Sequence, residues 1–249
     1  MRRWLIATML LLSAGAILPG ADYLILALQY PPYEYQDPAT GEVKGAASAM
    51  VREAFSRMGE QVTLQVLPWP RILWMVKTGQ ADGFFTAYRT PDRETWADYS
   101  KEELVPQVTS LFALKGAGIT FHNDFQHLSG LSIGVVSSVS YGDRFDRAVR
   151  DKVLPNILES VDGETNFRQL FAGRIALVAS NRMGAKYILA QMGKAGQVEE
   201  LTPPLERLPS YLALSRKKNL GALRDRFDQA LAQMKADGTW ASLMKQAGN

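Results

Sequence analysis

The stretch Gly79-Gln-Ala-Asp-Gly-Phe-Phe-Thr-Ala-Tyr-Arg-Thr-Pro-Asp-Arg93 contains a turn, a short apolar run and a polar segment in succession. Gly79 is typical of a residue that ends a helix, and residues 81–86 are predicted to form a buried strand. The polar segment that leaves this strand carries Thr86, Tyr88, Arg89 and Arg93. Because open α/β sheets bind ligands beside the carboxyl ends of their strands, we expect a binding site here.

Arg93 is the candidate ligand-binding side chain of this segment. A guanidinium group presents a planar fork of donors, which suits a carboxylate better than the point charge of a lysine does. The predicted ligand is therefore a small anion or zwitterion. Spacing alone favours a plainer interpretation, in which Arg93 caps a surface helix or pairs with Asp92 or Glu94.

Several short motifs accompany this stretch in a fixed order. They are Tyr30-Pro-Pro-Tyr33, Pro68-Trp69, the run from Gly79 to Arg93, and Lys235-Ala-Asp-Gly-Thr-Trp240. In this order and spacing they resemble the family 3 periplasmic solute-binding proteins, the amino-acid-binding type that supplies ABC importers. The resemblance covers nearly the whole chain after its first 21 residues.

The resemblance implies an α/β protein with the two-lobed, type II periplasmic-binding-protein fold, in which two doubly wound sheets are joined by two hinge strands. The expected first lobe comprises residues 22–112 and 210–249, and the expected second lobe comprises residues 113–209. The hinge strands are expected near residues 108–115 and 211–215.

The resemblance also implies the ligand contacts. Arg93 is expected to hold the ligand carboxylate, and Tyr30 is expected to stack on the ligand. The remaining wall and hydrogen-bonding residues are expected to be Trp69, Tyr88, Thr86, Ser140 and Asn181. The roles of Thr86, Tyr88 and Arg89 stay open, because their loop is one residue shorter than is usual in the family. Ser140 is equally consistent with an ordinary helix cap.

Asn181 is the main departure from the family pattern. Amino-acid binders usually carry an aspartate at this position, which holds the ammonium group of the ligand. A neutral amide cannot stabilise a buried cation as a carboxylate does. The substitution disfavours an ordinary α-amino acid and leaves an oxo-acid, a dicarboxylate or a modified amino acid as candidates.

Residues 1–21 have the three parts of a secretory signal: Arg2-Arg3, an apolar run from Trp4 to Leu12, and small residues before Asp22. Export to the periplasm is therefore expected. A membrane anchor is the alternative, but the run is shorter than the roughly 20 residues that span a bilayer. The chain has no cysteine, so a lipid-anchored start is excluded.

The composition excludes several other classes of function. The formal net charge is +3, and without Arg2 and Arg3 the chain has 26 basic and 25 acidic residues, so no basic surface for nucleic acid is indicated. The lack of cysteine excludes a zinc-thiolate site, and His122 and His127 are expected to be solvated loop residues. We expect no cofactor, no metal and a monomer.

Local patterns give further expectations. The order βαβαβ is predicted for the first part of the chain. Ser48 is the expected cap of a helix that runs to Met58, and residues 96–106 are expected to form a polar segment. A helix over 141–149 is expected to begin beside Ser140.

Three functions fit these observations. The first is capture of a carboxylate-bearing solute for the membrane subunits of an ABC importer. The second is an enzyme on the same fold, similar to cyclohexadienyl dehydratases, for which Glu34 and Asp98 are the available acids, neither in an obviously apolar setting. The third is a periplasmic sensor that acts on a separate membrane partner.

Overall fold

The computed structural model describes residues 22–247. The first part of the chain alternates strands with helices, as predicted. It forms β1 (Asp22–Ala27), β2 (Tyr35–Gln36), β3 (Val43–Lys44), α1 (Ala46–Arg57), β4 (Gln61–Val66), α2 (Trp69–Thr78), β5 (Gly83–Ala87), α3 (Pro91–Glu94) and β6 (Ala97–Tyr99).

The second part of the chain forms β7 (Val105–Leu114), β8 (Ile133–Val136), α4 (Asp143–Arg150), β9 (Ile157–Ser160), α5 (Gly163–Phe171), β10 (Leu177–Asn181), α6 (Arg182–Gln191), β11 (Val198–Glu200), β12 (Glu206–Ser215), α7 (Gly221–Ala236) and α8 (Thr239–Ala247).

Two groups of parallel strands define two lobes. In the first lobe β1 lies between β4 and β5, and in the second lobe β8 lies between β9 and β10. The long strands β7 and β12 pair antiparallel with each other. β12 continues into the first lobe beside β5, and β7 continues into the second lobe beside β10. The two-lobed α/β fold with two connecting strands is thereby confirmed.

Each lobe has its own apolar core. In the first lobe, α1 and α7 pack together through side chains such as Phe55, Phe227 and Leu231, all of them fully buried. In the second lobe, Phe112 of β7 stacks edge-on against Phe167 of α5 at a centroid distance of 6.0 Å. Because α7 follows β12 and packs on α1, the end of the chain returns to the first lobe.

The positions of the helix caps differ from expectation. α1 begins at Ala46 after Gly45, and the hydroxyl of Ser48 donates to the Lys44 carbonyl instead of capping the helix. α4 begins at Asp143 after Gly142, so Ser140 does not cap it. Both glycines have φ near +110°, a conformation that turns the chain sharply into the helix and that a serine cannot adopt without strain.

The polar segment 96–106 contains a short strand that the sequence analysis did not predict. Residues 97–99 form β6, which pairs with the end of β12. Ala97 and Tyr99 face the core, but three residues are too few for their alternation to be recognised in the sequence.

The predicted signal segment, residues 1–21, lies outside the described residues. Within 22–247 no helix is both long enough and apolar enough to cross a membrane.

Replacing Gly45 with alanine is expected to destabilise the protein by at least about 3 kcal/mol, because the backbone strain adds to a steric clash. An added Cβ would lie 2.3 Å from the carbonyl oxygen of Tyr33. Gly41→Ala is the matched control: its φ is also positive, at +72°, but nothing lies within 4 Å of the new Cβ. That variant should cost only about 1–2 kcal/mol. Urea unfolding measures both, and equal losses would contradict the role given to the Tyr33 contact.

Candidate functional site

A cavity of about 30 Å³ lies where the carboxyl ends of strands from both lobes meet. Leu28 follows β1, Tyr88 follows β5, and Val139 follows β8 from the opposite lobe. Six of the seven predicted site residues line this cavity: Tyr30, Trp69, Thr86, Tyr88, Arg93 and Ser140. The seventh, Asn181, lines an adjacent cavity that shares Tyr30.

Arg93 is held at the cavity by the short helix α3. The Thr90 side chain caps this helix by accepting from the Arg93 amide at 3.3 Å. The guanidinium donates to the Tyr88 carbonyl at 3.3 Å and to the Ser138 carbonyl at 3.0 Å, and it lies 5.2 Å from the centre of the Trp69 ring. Arg93 is only 6% exposed.

The guanidinium of Arg93 has no carboxylate partner within ion-pair distance among residues 22–247. Asp92 accepts from the Trp96 indole, and Glu94 lies 3.8 Å from Arg89, so neither pairs with Arg93. Burial lowers the pKa of Arg93, because it withdraws the charged group from water. The site therefore contains a buried cation whose direct contacts include carbonyl dipoles and an aromatic face, with the carboxylate of Asp146 acting on it from beyond ion-pair distance.

The backbone carbonyl of Ser138 connects the two lobes. It accepts from the Trp69 indole at 2.9 Å as well as from Arg93. Trp69 and Arg93 belong to the first lobe, whereas Ser138 follows β8 of the second. Ser138 has φ of +61°, a conformation uncommon for residues other than glycine.

Gln107 of β7 is the centre of a polar network that the sequence analysis missed. Its Oε1 accepts from Tyr88 at 2.6 Å, from Asn181 at 3.1 Å and from Tyr30 at 3.2 Å. Its Nε2 donates to Ser210 of β12 at 3.1 Å. One buried amide thus joins both lobes and both long strands. Gln107 did not stand out in the sequence, because the same strand also carries the polar residues Thr109 and Ser110.

Both the oxygen and the nitrogen of the Asn181 amide are hydrogen-bonded within the protein. Its Oδ1 accepts from the amides of Met183 and Gly184, which caps α6, and its Nδ2 donates to Gln107. A carboxylate could accept the same capping bonds, but it has no hydrogen to donate to Gln107. The neutral residue at this position is therefore matched to the acceptor opposite it.

Ser140 lines the cavity, but its hydroxyl is already hydrogen-bonded to a carboxylate of the protein. Its hydroxyl donates to Asp146 Oδ2 at 2.5 Å, and Asp146 Oδ1 accepts from the Tyr141 amide at 2.9 Å. Burial raises the pKa of Asp146, and these hydrogen bonds oppose that rise. Asp146 of α4 is thus a second acid near the cleft that the sequence analysis did not identify.

Glu34 is the acid that lines the cavity itself. It is fully buried, its Oε1 is hydrogen-bonded to the Thr86 hydroxyl, and its Oε2 has no hydrogen-bond partner in the structure. Burial raises the pKa of Glu34 well above its usual range. The expectation that Glu34 lacks an apolar setting is therefore wrong. Asp98, the other candidate acid, pairs with Arg224 at 2.6 Å and does not line the cavity.

Thr86 owes its position to an irregular strand. The register between β5 and β12 shifts beside it, and its φ is +53°. Positive φ is a genuine outlier for a β-branched residue and marks a strained segment at the site.

Arg89, whose role the sequence left open, lies outside the cavity. It donates to the Ser100 carbonyl at 2.7 Å, and its guanidinium carbon lies 4.5 Å from the centre of the Tyr211 ring. Among the described residues no group of histidine, aspartate and glutamate is arranged to hold a metal ion.

Residues 24–249 match the sequence pattern of the bacterial extracellular solute-binding proteins, family 3. The chain belongs to this family. A search of curated proteins found no match.

Several solved structures have a fold similar to that of this family 3 chain. A histidine kinase sensor domain with similarity to periplasmic binding proteins has a TM-score of 0.81 at 16% identity, over 92% of this chain and 96% of that one. An ancestral arginine-binding protein bound to arginine has a TM-score of 0.78 at 18% identity, over 92% and 98%. An ancestral amino acid-binding protein, a precursor of cyclohexadienyl dehydratase, has a TM-score of 0.75 at 19% identity, over 91% and 95%. At these identities the likeness shows the fold alone.

Replacing Gln107 with leucine is expected to destabilise this family 3 protein by about 3 kcal/mol or more, because three buried donors lose their acceptor and each costs about 1–3 kcal/mol. Tyr88→Phe is the control: it removes one of these donors and leaves Gln107 with two, so it should cost about 1 kcal/mol. Urea unfolding with both variants measures the difference. A Gln107→Leu loss no larger than that of Tyr88→Phe would show that the network contributes little.

Proposed function

We propose that this family 3 protein captures a small carboxylate-bearing solute between its lobes and delivers it to the membrane subunits of an ABC importer. The observation that carries the proposal is the guanidinium of Arg93, which is buried at the cavity without a carboxylate partner.

A buried cation is costly unless an anion compensates it. The carbonyls of Tyr88 and Ser138 supply partial charge, and the Trp69 ring adds a favourable face. A ligand carboxylate supplies a full charge in the planar geometry that the guanidinium fits. An acid can therefore gain much more binding energy from Arg93 than a neutral solute can.

Capture requires the lobes to move. The cavity of about 30 Å³ has room for only one or two water molecules, since each needs roughly 10–15 Å³. A solute therefore enters when the contacts of Trp69 and Arg93 with the Ser138 carbonyl open, and β7 and β12 act as the hinge. We assign residues 22–112 and 210–249 to one moving lobe and residues 113–209 to the other. Hinge closure of this kind is typical of periplasmic binding proteins.

In this proposal the ligand contacts are Arg93, with Tyr30, Trp69, Tyr88, Thr86, Ser140 and Asn181 around it. Arg93 binds the carboxylate, Trp69 packs against Arg93, and Tyr30 and Tyr88 wall the pocket. Asn181 acts mainly through Gln107, because its own amide is occupied. The protein acts in the periplasm as a monomer, without a cofactor.

Glu34 supports a second candidate function, dehydration of a cyclic acid on the same fold. A general acid must hold a proton at working pH, and burial raises the pKa of Glu34 in the required direction. Arg93 would then bind the substrate carboxylate while Glu34 protonated the departing hydroxyl group. Both groups line one cavity.

Arg93→Met is expected to abolish ligand-induced stabilisation. Wild-type protein at a ligand concentration of 100 Kd gains about 2.7 kcal/mol. Thermal unfolding with a panel of small organic acids and amino acids identifies ligands, and the same ligands are then tested on the variant. Arg89→Met is the matched control, since Arg89 is on the same loop but outside the cavity. If Arg93→Met binds as tightly as wild type, the site is wrongly assigned.

Incubation with prephenate or arogenate distinguishes the two candidates. A binding protein should leave both compounds unchanged, whereas a dehydratase should produce an absorbing aromatic product. Glu34→Gln serves as the control, because the amide cannot donate a proton to a leaving group. Turnover that Glu34→Gln abolishes would overturn the transport function in favour of the enzyme.

A further inference from the structure

The charges around the cavity are unbalanced. Among the described residues that line it, Arg93 is the cation and Glu34 is the acid. No cation lies within ion-pair distance of Glu34, and Arg93 is absent from the groups that perturb its pKa. Asn181, where the family usually carries an acid, is neutral, and its amide oxygen and nitrogen are both hydrogen-bonded within the protein.

The surroundings of the Glu34 carboxyl favour its neutral form, because burial raises its pKa well above the usual range. Its surroundings are the Thr86 hydroxyl and the rings of Tyr30 and Tyr33, whose phenols are uncharged because burial raises their pKa values, to about 12 for Tyr33. A protonated carboxyl carries one O–H donor, which can lie on either oxygen. The Thr86 hydroxyl has one hydrogen and two acceptors in reach, Glu34 Oε1 and the Phe85 carbonyl at 2.7 Å. When it donates to Oε1, the carboxyl hydrogen lies on Oε2, which has no partner within the protein.

We propose that the site selects a small acid with an oxygen next to its carboxylate, a 2-oxo or 2-hydroxy acid, which Arg93 binds through the carboxylate and Glu34 through a hydrogen bond from Oε2 to the second oxygen. This inference rests on the proposed function. The ammonium group of an α-amino acid would meet a guanidinium and a neutral carboxyl, and the cavity would offer it no counter-charge.

Binding should depend on pH through Glu34. An anion favours the protonated form, so affinity should be constant below the pKa of Glu34 in the folded protein and fall as the pH rises through it. An ammonium ligand would show the opposite trend, because it needs the ionised form. Asp146 titrates near the cleft and acts on Arg93. Asp146→Asn therefore separates its contribution from that of Glu34.

The experiment is calorimetric titration of wild-type protein with matched pairs, pyruvate against L-alanine and 2-oxoglutarate against L-glutamate, from about pH 5 to about pH 9, a range that covers known buried glutamates. We expect at least one oxo-acid to bind tenfold or more tightly than its amino acid, with affinity falling at high pH. Glu34→Gln replaces the titrating O–H donor with an N–H donor that does not titrate, so its affinity should no longer fall at high pH. Asp146→Asn should retain the fall.

Three outcomes would overturn the inference. Tighter binding of an amino acid, with affinity rising with pH and lost in Glu34→Gln, would make Glu34 an ammonium partner and leave the proposed function intact. Oxo-acid binding that is independent of pH in wild type would remove Glu34 from recognition. If wild type binds neither member of any pair and no other acid stabilises it, the proposed function fails as well. The preference between oxo-acid and amino acid and the pH dependence of binding are both measured on wild type, so a misfolded variant does not affect them.

Discussion

The buried guanidinium of Arg93 is the constraint on which the site depends. A side chain with this charge is rarely almost fully buried, and here no carboxylate among the described residues lies within ion-pair distance of it. Its partners are two carbonyls and an indole ring, one of the carbonyls belonging to the opposite lobe. The same group therefore holds the lobes together and offers charge to an acid. Ligand binding and lobe closure therefore both depend on the N–H donors of the Arg93 guanidinium.

Polar groups buried at the lobe boundary explain how closure can be specific. Gln107 gathers two tyrosine hydroxyls and the Asn181 amide on a single oxygen. A network of this kind is favourable only when every member is satisfied, so it defines one relative position of the lobes. It lies on β7, one of the two strands that connect them, and it extends to β12 through Ser210.

Two strained residues and one unsatisfied acid lie at or beside the cavity. Thr86 and Ser138 have positive φ, and the Oε2 atom of Glu34 has no partner. Elsewhere in the described chain positive φ belongs mainly to glycines in turns. Stored strain and unpaired polar atoms are characteristic of functional sites. Polar groups that are fully satisfied within the protein are not free to bind a ligand.

Local sequence determined the fold class, the α/β order and the neighbourhood of the site, because hydrophobic periodicity, glycine terminators and short motifs act over a few residues. Six side chains that were predicted from the sequence as site residues line one cavity: Tyr30, Trp69, Thr86, Tyr88, Arg93 and Ser140. Tertiary structure alone decided their partners. The pKa of Glu34 is raised because distant segments bury its carboxyl, and Gln107 became the centre of a network because both lobes reach it. The burial of a side chain and its hydrogen bonds to residues far away in sequence leave no local sequence pattern. They depend on how the two lobes pack together.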